Sequence, residues 1–231
     1  MKYLLVLIVA LGCAVSGAAQ GNLSAGDSSQ EIACVRGRTP FCWDQRTASE
    51  LDYHKRLNNT IGLTTDERQS LIAAVAAQLK KSRVADPEMF GDLSDADIRR
   101  LAPVTNVQLA DLNGGASRTF ILKSYGAKLC GAVGNCLIWI YEMTPQGPRP
   151  LLESGGQVIT VRDDSTNGYR DIVIGTHNSA SERTLLHYQY ASGRYRRVGC
   201  YEASWTLMTK TEWKVLNIPR ITACRPLPKK R

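Results

Sequence analysis

The hydrophobic pattern changes period near residue 104, and this change constrains the fold of the 231-residue chain more than any other feature. Before it, apolar residues recur at helical spacing. Thr64-Thr65-Asp66-Glu67 is a capping box, in which a hydroxyl and a carboxylate satisfy free amides at a helix start. It predicts a helix to about Ser82, with Leu71, Ile72, Val75 and Leu79 as the apolar stripe. Lys80 and Lys81 fall in its last turn, where the helix dipole favours cations. Thr47-Ala48-Ser49-Glu50 is a similar box. It predicts a helix carrying Leu51, His54 and Leu57 on one face and ending at Asn58-Asn59. Pro87 breaks the pattern, and a short helix is expected from Ser94 to Leu101.

Beyond residue 104 the pattern reads as short strands. They are Val104–Leu109, Thr119–Ser124, Leu137–Met143, Leu151–Glu153, Val158–Arg162, Asp171–Gly175, Leu185–Tyr190, Tyr195–Tyr201 and Trp205–Thr209, with Thr211–Leu216 as a further candidate. Turn chemistry separates them at Asn113-Gly114-Gly115, Pro145-Gln146-Gly147-Pro148, Gly155-Gly156, Asn167-Gly168 and Ser192-Gly193. Helices first and strands afterwards predict an α+β fold: N-terminal helices over 31–102, then an antiparallel β-meander over 103–231.

The leader limits where such a fold forms. Lys2 precedes an apolar run from Tyr3 to Val15, and small residues follow at Ser16-Gly17-Ala18-Ala19. Residues 1–19 read as a secretory signal peptide, too short for a comfortable membrane span. A second reading is a lipoprotein box ending at Cys13, which would anchor the chain to a membrane through lipid. Residues 20–30, polar and small, read as a flexible linker. Export places Cys34, Cys42, Cys130, Cys136, Cys200 and Cys224 where disulfides form. Six cysteines allow about 15 connectivities, and short loops favour 34–42, 130–136 and 200–224. The spacing of the histidines does not match a metal site built with them.

The chain carries a net charge of +8. Its cations are spread out, with concentrations at Arg194–Arg197 and Arg225–Arg231. Such a balance suits solubility or contact with an anionic envelope polymer or another protein. Specific nucleic-acid binding is not expected, since no known module or basic–aromatic stripe is present.

One segment carries metal logic. In Asp163-Asp164-Ser165-Thr166-Asn167-Gly168-Tyr169-Arg170-Asp171, oxygen-bearing residues stand at the first, third, fifth and ninth positions and Gly at the sixth. Calcium needs several converging oxygens, and Gly permits the turn that brings them together. Asn167-Gly168 is also a hairpin signal by itself. The stretch DDSTNGYRDIVIG resembles the calcium loop and following strand of FG-GAP repeats in integrin-type β-propellers. The resemblance implies Asp163, Ser165, Asn167 and Asp171 as side-chain ligands of Ca²⁺ and Tyr169 as a carbonyl ligand. Ser165 departs from the acidic or amide residue of the pattern. A decayed second copy begins at Asp111, giving a step near the length of a four-stranded blade. Two such units cannot close a propeller. The elements C-x5-C with Trp139, then TNGYRDI, then the tyrosine-rich stretch from Tyr188 to Tyr201 resemble a group of secreted bacterial proteins, a resemblance that implies no activity.

Catalytic signatures are sparse. Neither GxSxG nor HExxH occurs. Glu142, Glu153, Asp163, Asp164, Asp171 and Glu202 could supply a glycosidase pair, and Trp139, Trp205 and Trp213 a sugar platform; packing is the commoner role of such tryptophans. Cys34-Val-Arg-Gly-Arg-Thr-Pro-Phe-Cys42 resembles the reactive ring of Bowman–Birk protease inhibitors through its length and Arg36. Gly37 and Thr39 depart from that pattern. The sequence therefore points to an exported, disulfide-stapled, non-catalytic binding protein of the envelope or extracellular space, secreted or periplasmic. A hydrolase of an envelope polymer is the alternative, and a protease inhibitor using the Cys34–Cys42 loop a more distant one.

Overall fold

The computed structural model describes residues 33–35, 41–43, 55–209 and 211–224. The fold is mostly β, with few helices and two antiparallel sheets. A small hairpin comes first: β1 (Ala33–Val35) pairs with β2 (Phe41–Trp43), and Cys34 stands opposite Cys42 in register. The ring residues 36–40 lie outside the described residues, as do the leader, the linker and the first capping box.

Helix α1 (Thr65–Ala85) starts at its capping box, where the Thr64 hydroxyl accepts from the Glu67 amide and the Glu67 carboxylate accepts from the Thr64 amide. Glu67 also receives two bonds from Arg118, at 2.6 and 2.8 Å, which tie the helix start to the first sheet. Pro87 ends the helix as expected and opens α2 (Pro87–Phe90). Helix α3 (Asp95–Leu101) has the Ser94–Asp97 box at its start. The expected helix through Leu57 is not found in its described part. Lys55–Thr60 is instead an extended bridge and turn, with Leu57 donating to the Thr105 carbonyl at 2.9 Å and Arg56 bridging Asn106. Pairing with the sheet satisfies this backbone in place of helical bonds.

The first sheet is a meander of β3 (Asn106–Ala110), β4 (Thr119–Lys123), β5 (Cys136–Thr144) and β6 (Gly147–Gly156). The second contains β7 (Val158–Thr166), β8 (Tyr169–Ser179), β9 (Glu182–Ala191), β10 (Arg194–Met208) and β11 (Trp213–Ala223), again each beside its sequence neighbour. Strand β10 joins two segments that the sequence pattern separates. Nothing in Glu202-Ala203-Ser204 makes a turn, so the strand continues through a register shift at Ser204/Thr206. β6 is longer than its apolar core suggests, because Pro148 and Pro150 are tolerated on an edge strand.

Alternation along β4 and β5 explains their long apolar runs. Phe120, Leu122, Trp139 and Tyr141 join a core with Leu71, Val75 and Leu79 of α1, together with Phe90 and Ile98. Ile121, Ile138 and Ile140 join a second core with Ile159, Ile172, Ile174, Tyr188 and Tyr195 of the other sheet. The first sheet is thus covered on both faces, by helices and by the second sheet. A Cβ at Gly156 would meet Ile174 Cγ2 at 2.4 Å, so glycine permits the close passage between the sheets. Disulfides Cys130–Cys136 and Cys200–Cys224 form as loop proximity predicts.

Candidate ligand-binding cleft

A cleft of 470 Å³ opens where α1, β6 and β10 meet. Gln78 and Lys81 come from α1, Leu151, Leu152 and Glu153 from β6, and Arg194, Arg196 and Arg197 from β10. Trp139, Tyr141, Tyr188 and Tyr195, all buried, also line it. The turn Ser192-Gly193, with φ of 52° and 83°, reverses the chain in two residues and delivers Arg194 directly into β10.

The electrostatics of the cleft are unbalanced. Lys81, Arg194, Arg196 and Arg197 are exposed and make no ion pair among the described residues. Glu153 is the acidic residue of the lining, and its Oε1 accepts from Ser82 Oγ at 3.3 Å. Burial, reinforced by the charge of Glu153, pushes the Tyr141 hydroxyl up to about 12, so it stays protonated. Tyr188 shares a hydrogen bond with Ser154 at 3.0 Å, and Tyr195 donates to the Arg170 carbonyl at 2.8 Å. Trp139 is 1% exposed, and its indole N–H has no acceptor among the described residues. That unpaired donor is buried within the protein, and the open cleft itself carries a surplus of positive charge.

Comparison with protein-family models, curated proteins and solved structures gives no match.

The residues expected to ligate calcium have separate partners. Asp163 is exposed and bonds Arg170 at 2.7 Å. Ser165 pairs across the hairpin with Arg170 in register. Asn167 and Gly168 are the two turn residues, with φ of 52° and 81°, and Asn167 Nδ2 donates to the Tyr190 carbonyl at 2.8 Å. Tyr169 stacks on Tyr190 and donates its hydroxyl to Glu142 at 2.6 Å. Asp171 is buried, and its Oδ2 meets His187 Nε2 at 3.1 Å and Gln189 Nε2 at 2.9 Å. No cluster of three or more His, Cys, Asp or Glu suited to a metal occurs among the described residues.

The upstream loop and the 163–171 hairpin meet at Glu142. Its buried carboxylate receives bonds from Ser117, from Asn113 at 3.3 Å, from Tyr169 and from Arg149. Burial pushes the acid up, but hydrogen bonds from Ser117, Tyr169 and Arg149, with the Arg149 charge, outweigh it and hold the carboxyl below its usual range. This is a closed lock between the sheets, with its acceptors in use.

Of the other carboxylates singled out in the sequence, Asp164 pairs with Arg162 at 2.6 Å and Glu202 borders a second cleft of 560 Å³. Glu182, Arg220 and exposed Trp213 line that cleft too. Glu182 lies opposite Ser204 and Glu202 opposite Thr184, so the two acids are diagonal neighbours on one face of the sheet. Trp205 carries the Arg183 guanidinium 5.5 Å from its ring centroid. Sequence reasoning noticed the Arg194–Arg197 run but did not join it to Lys81 or Trp139, because only the folded chain brings them together.

Proposed function

We propose that this is an exported, disulfide-stapled, non-catalytic binding protein of the cell envelope or extracellular space, and that the basic cleft between β6 and β10 holds its anionic ligand. The observation carrying this reading is the gathering of four exposed cations, Lys81, Arg194, Arg196 and Arg197, without ion-pair partners among the described residues, around one cleft. The volume lies within the range typical of ligand pockets, about 300–1,000 Å³. Export is supported by the leader and by the two disulfides. The two meanders are read as degenerate copies of one blade-like unit, since β3 and β7 start 52 residues apart, at Asn106 and Val158, as do Asp111 and Asp163.

Titrating the oxidised mature protein with polyglutamate and polygalacturonate at low salt tests the reading. Binding that weakens with salt and with Arg196→Glu is expected; no binding of either polymer would overturn it. Fusing the leader to a reporter active only after export tests the address, and Cys13→Ser separates soluble from lipid-anchored forms.

A hydrolase is the second reading, favoured by the placement of Glu182, Glu202 and Trp213 in one cleft. Release of reducing ends from an envelope polysaccharide, lost in both Glu182→Gln and Glu202→Gln, would establish it in place of the binding role.

A further inference from the structure

We infer that the ligand of the basic cleft is an acidic peptide in extended conformation, added as a strand to the outer edge of β10. The inference rests on the reading of this cleft as a binding site and names what it binds.

The edge is the first observation. β11 pairs with β10 from Tyr201 onward, and the Cys224 amide then donates to the Cys200 carbonyl at 2.9 Å. From Arg194 to Gly199, β10 has β9 on one side and no strand on the other among the described residues. A row of unpaired amides and carbonyls is a template for an incoming strand, the mode by which several peptide-recognition domains bind.

Charge selects the peptide. Arg194 and Arg196 are two residues apart on the strand, about 6.8 Å, which is also the spacing of alternate side chains in an added strand. Alternating Asp or Glu would therefore meet one guanidinium each, with Lys81 facing them from α1. The same arginines repel a second copy of this edge, so they reject self-pairing and favour an acidic partner. Arg225–Arg231, which follows Cys224, lies outside the described residues; its sequence is basic and includes Pro226 and Pro228, so it carries no acid to pair with these arginines.

The aromatic residues argue against the other polyanions. Sugars and nucleobases are gripped by exposed ring faces, whereas Trp139, Tyr141, Tyr188 and Tyr195 are all buried.

Fluorescence anisotropy with a labelled octapeptide of alternating Glu and Val tests the inference. The oxidised mature protein is expected to bind it at low salt. Methylating alternate backbone amides is expected to weaken binding at least tenfold, because the added strand loses its donors. The double variant Arg194→Glu/Arg196→Glu is expected to lose at least tenfold while keeping the wild-type melting temperature, both side chains being exposed. If the methylated peptide binds equally, or an oligogalacturonate of equal charge binds as tightly, strand addition is overturned while the anion cleft stands. If neither ligand binds, both readings fall.

Discussion

At the scale of single residues, Glu142 and Trp139 show opposite treatments of a buried polar group. Glu142 is saturated, holding Ser117, Asn113, Tyr169 and Arg149 together. Truncating it would leave several donors facing a void. Glu142→Ala is expected to cost about 2–4 kcal/mol in urea unfolding, discounted from the fully buried case because Arg149 is partly exposed. Asp97 gives a pH prediction. Bonds from Lys128 and Ser94 hold its carboxyl well below the usual range. A depressed carboxylate stabilises the fold above its unfolded pKa, and the contribution is lost as pH falls through its folded one. The wild type should therefore lose stability more steeply than Asp97→Asn from about pH 4 downward in melting curves; parallel curves would contradict this.

At the scale of elements, the hairpins were the most legible part of the sequence. Asn167-Gly168 and Ser192-Gly193 need positive φ, and few residue types supply it. Gly168→Ala is expected to cost about 1 kcal/mol by denaturant midpoint, since Gly168 sits at φ 81° with no side-chain clash to add to the strain. Helix α1 was legible for a similar reason, its capping box being local chemistry, but the box at Thr47 pointed to a helix through Leu57 whose described part, Lys55–Thr60, is a bridge and turn. The calcium reading of 163–171 used the same local letters, but a ligand set depends on where carboxylates point. Here Asp163 turns to solvent and Arg170, and Asp171 to His187 and Gln189. A rise in melting temperature with millimolar calcium, lost in Asp163→Ala and Asp171→Ala, is what calcium binding by this loop requires; an unchanged melting temperature would leave 163–171 a hairpin turn alone. The cleft was the least legible feature. Arg194–Arg197 was visible as a run of charge, yet the missing acceptor of Trp139 depends on every group packed around the indole.

At the scale of the molecule, two stacked meanders covered by helices on one side account for the buried surface. The disulfides fasten its parts unequally. Cys200–Cys224 closes a separation of 24 residues and Cys130–Cys136 one of 6. By loop entropy, Cys200→Ala/Cys224→Ala should cost about 3.5 kcal/mol and Cys130→Ala/Cys136→Ala about 2.2 kcal/mol, measured by denaturation of the oxidised proteins. Every strand of the two main sheets lies beside its neighbour in sequence. A chain that emerges from its first residue onward can therefore lay each strand against the one that arrived just before it. No strand waits for a distant partner, and the last cysteine to arrive, Cys224, closes against a strand already in place.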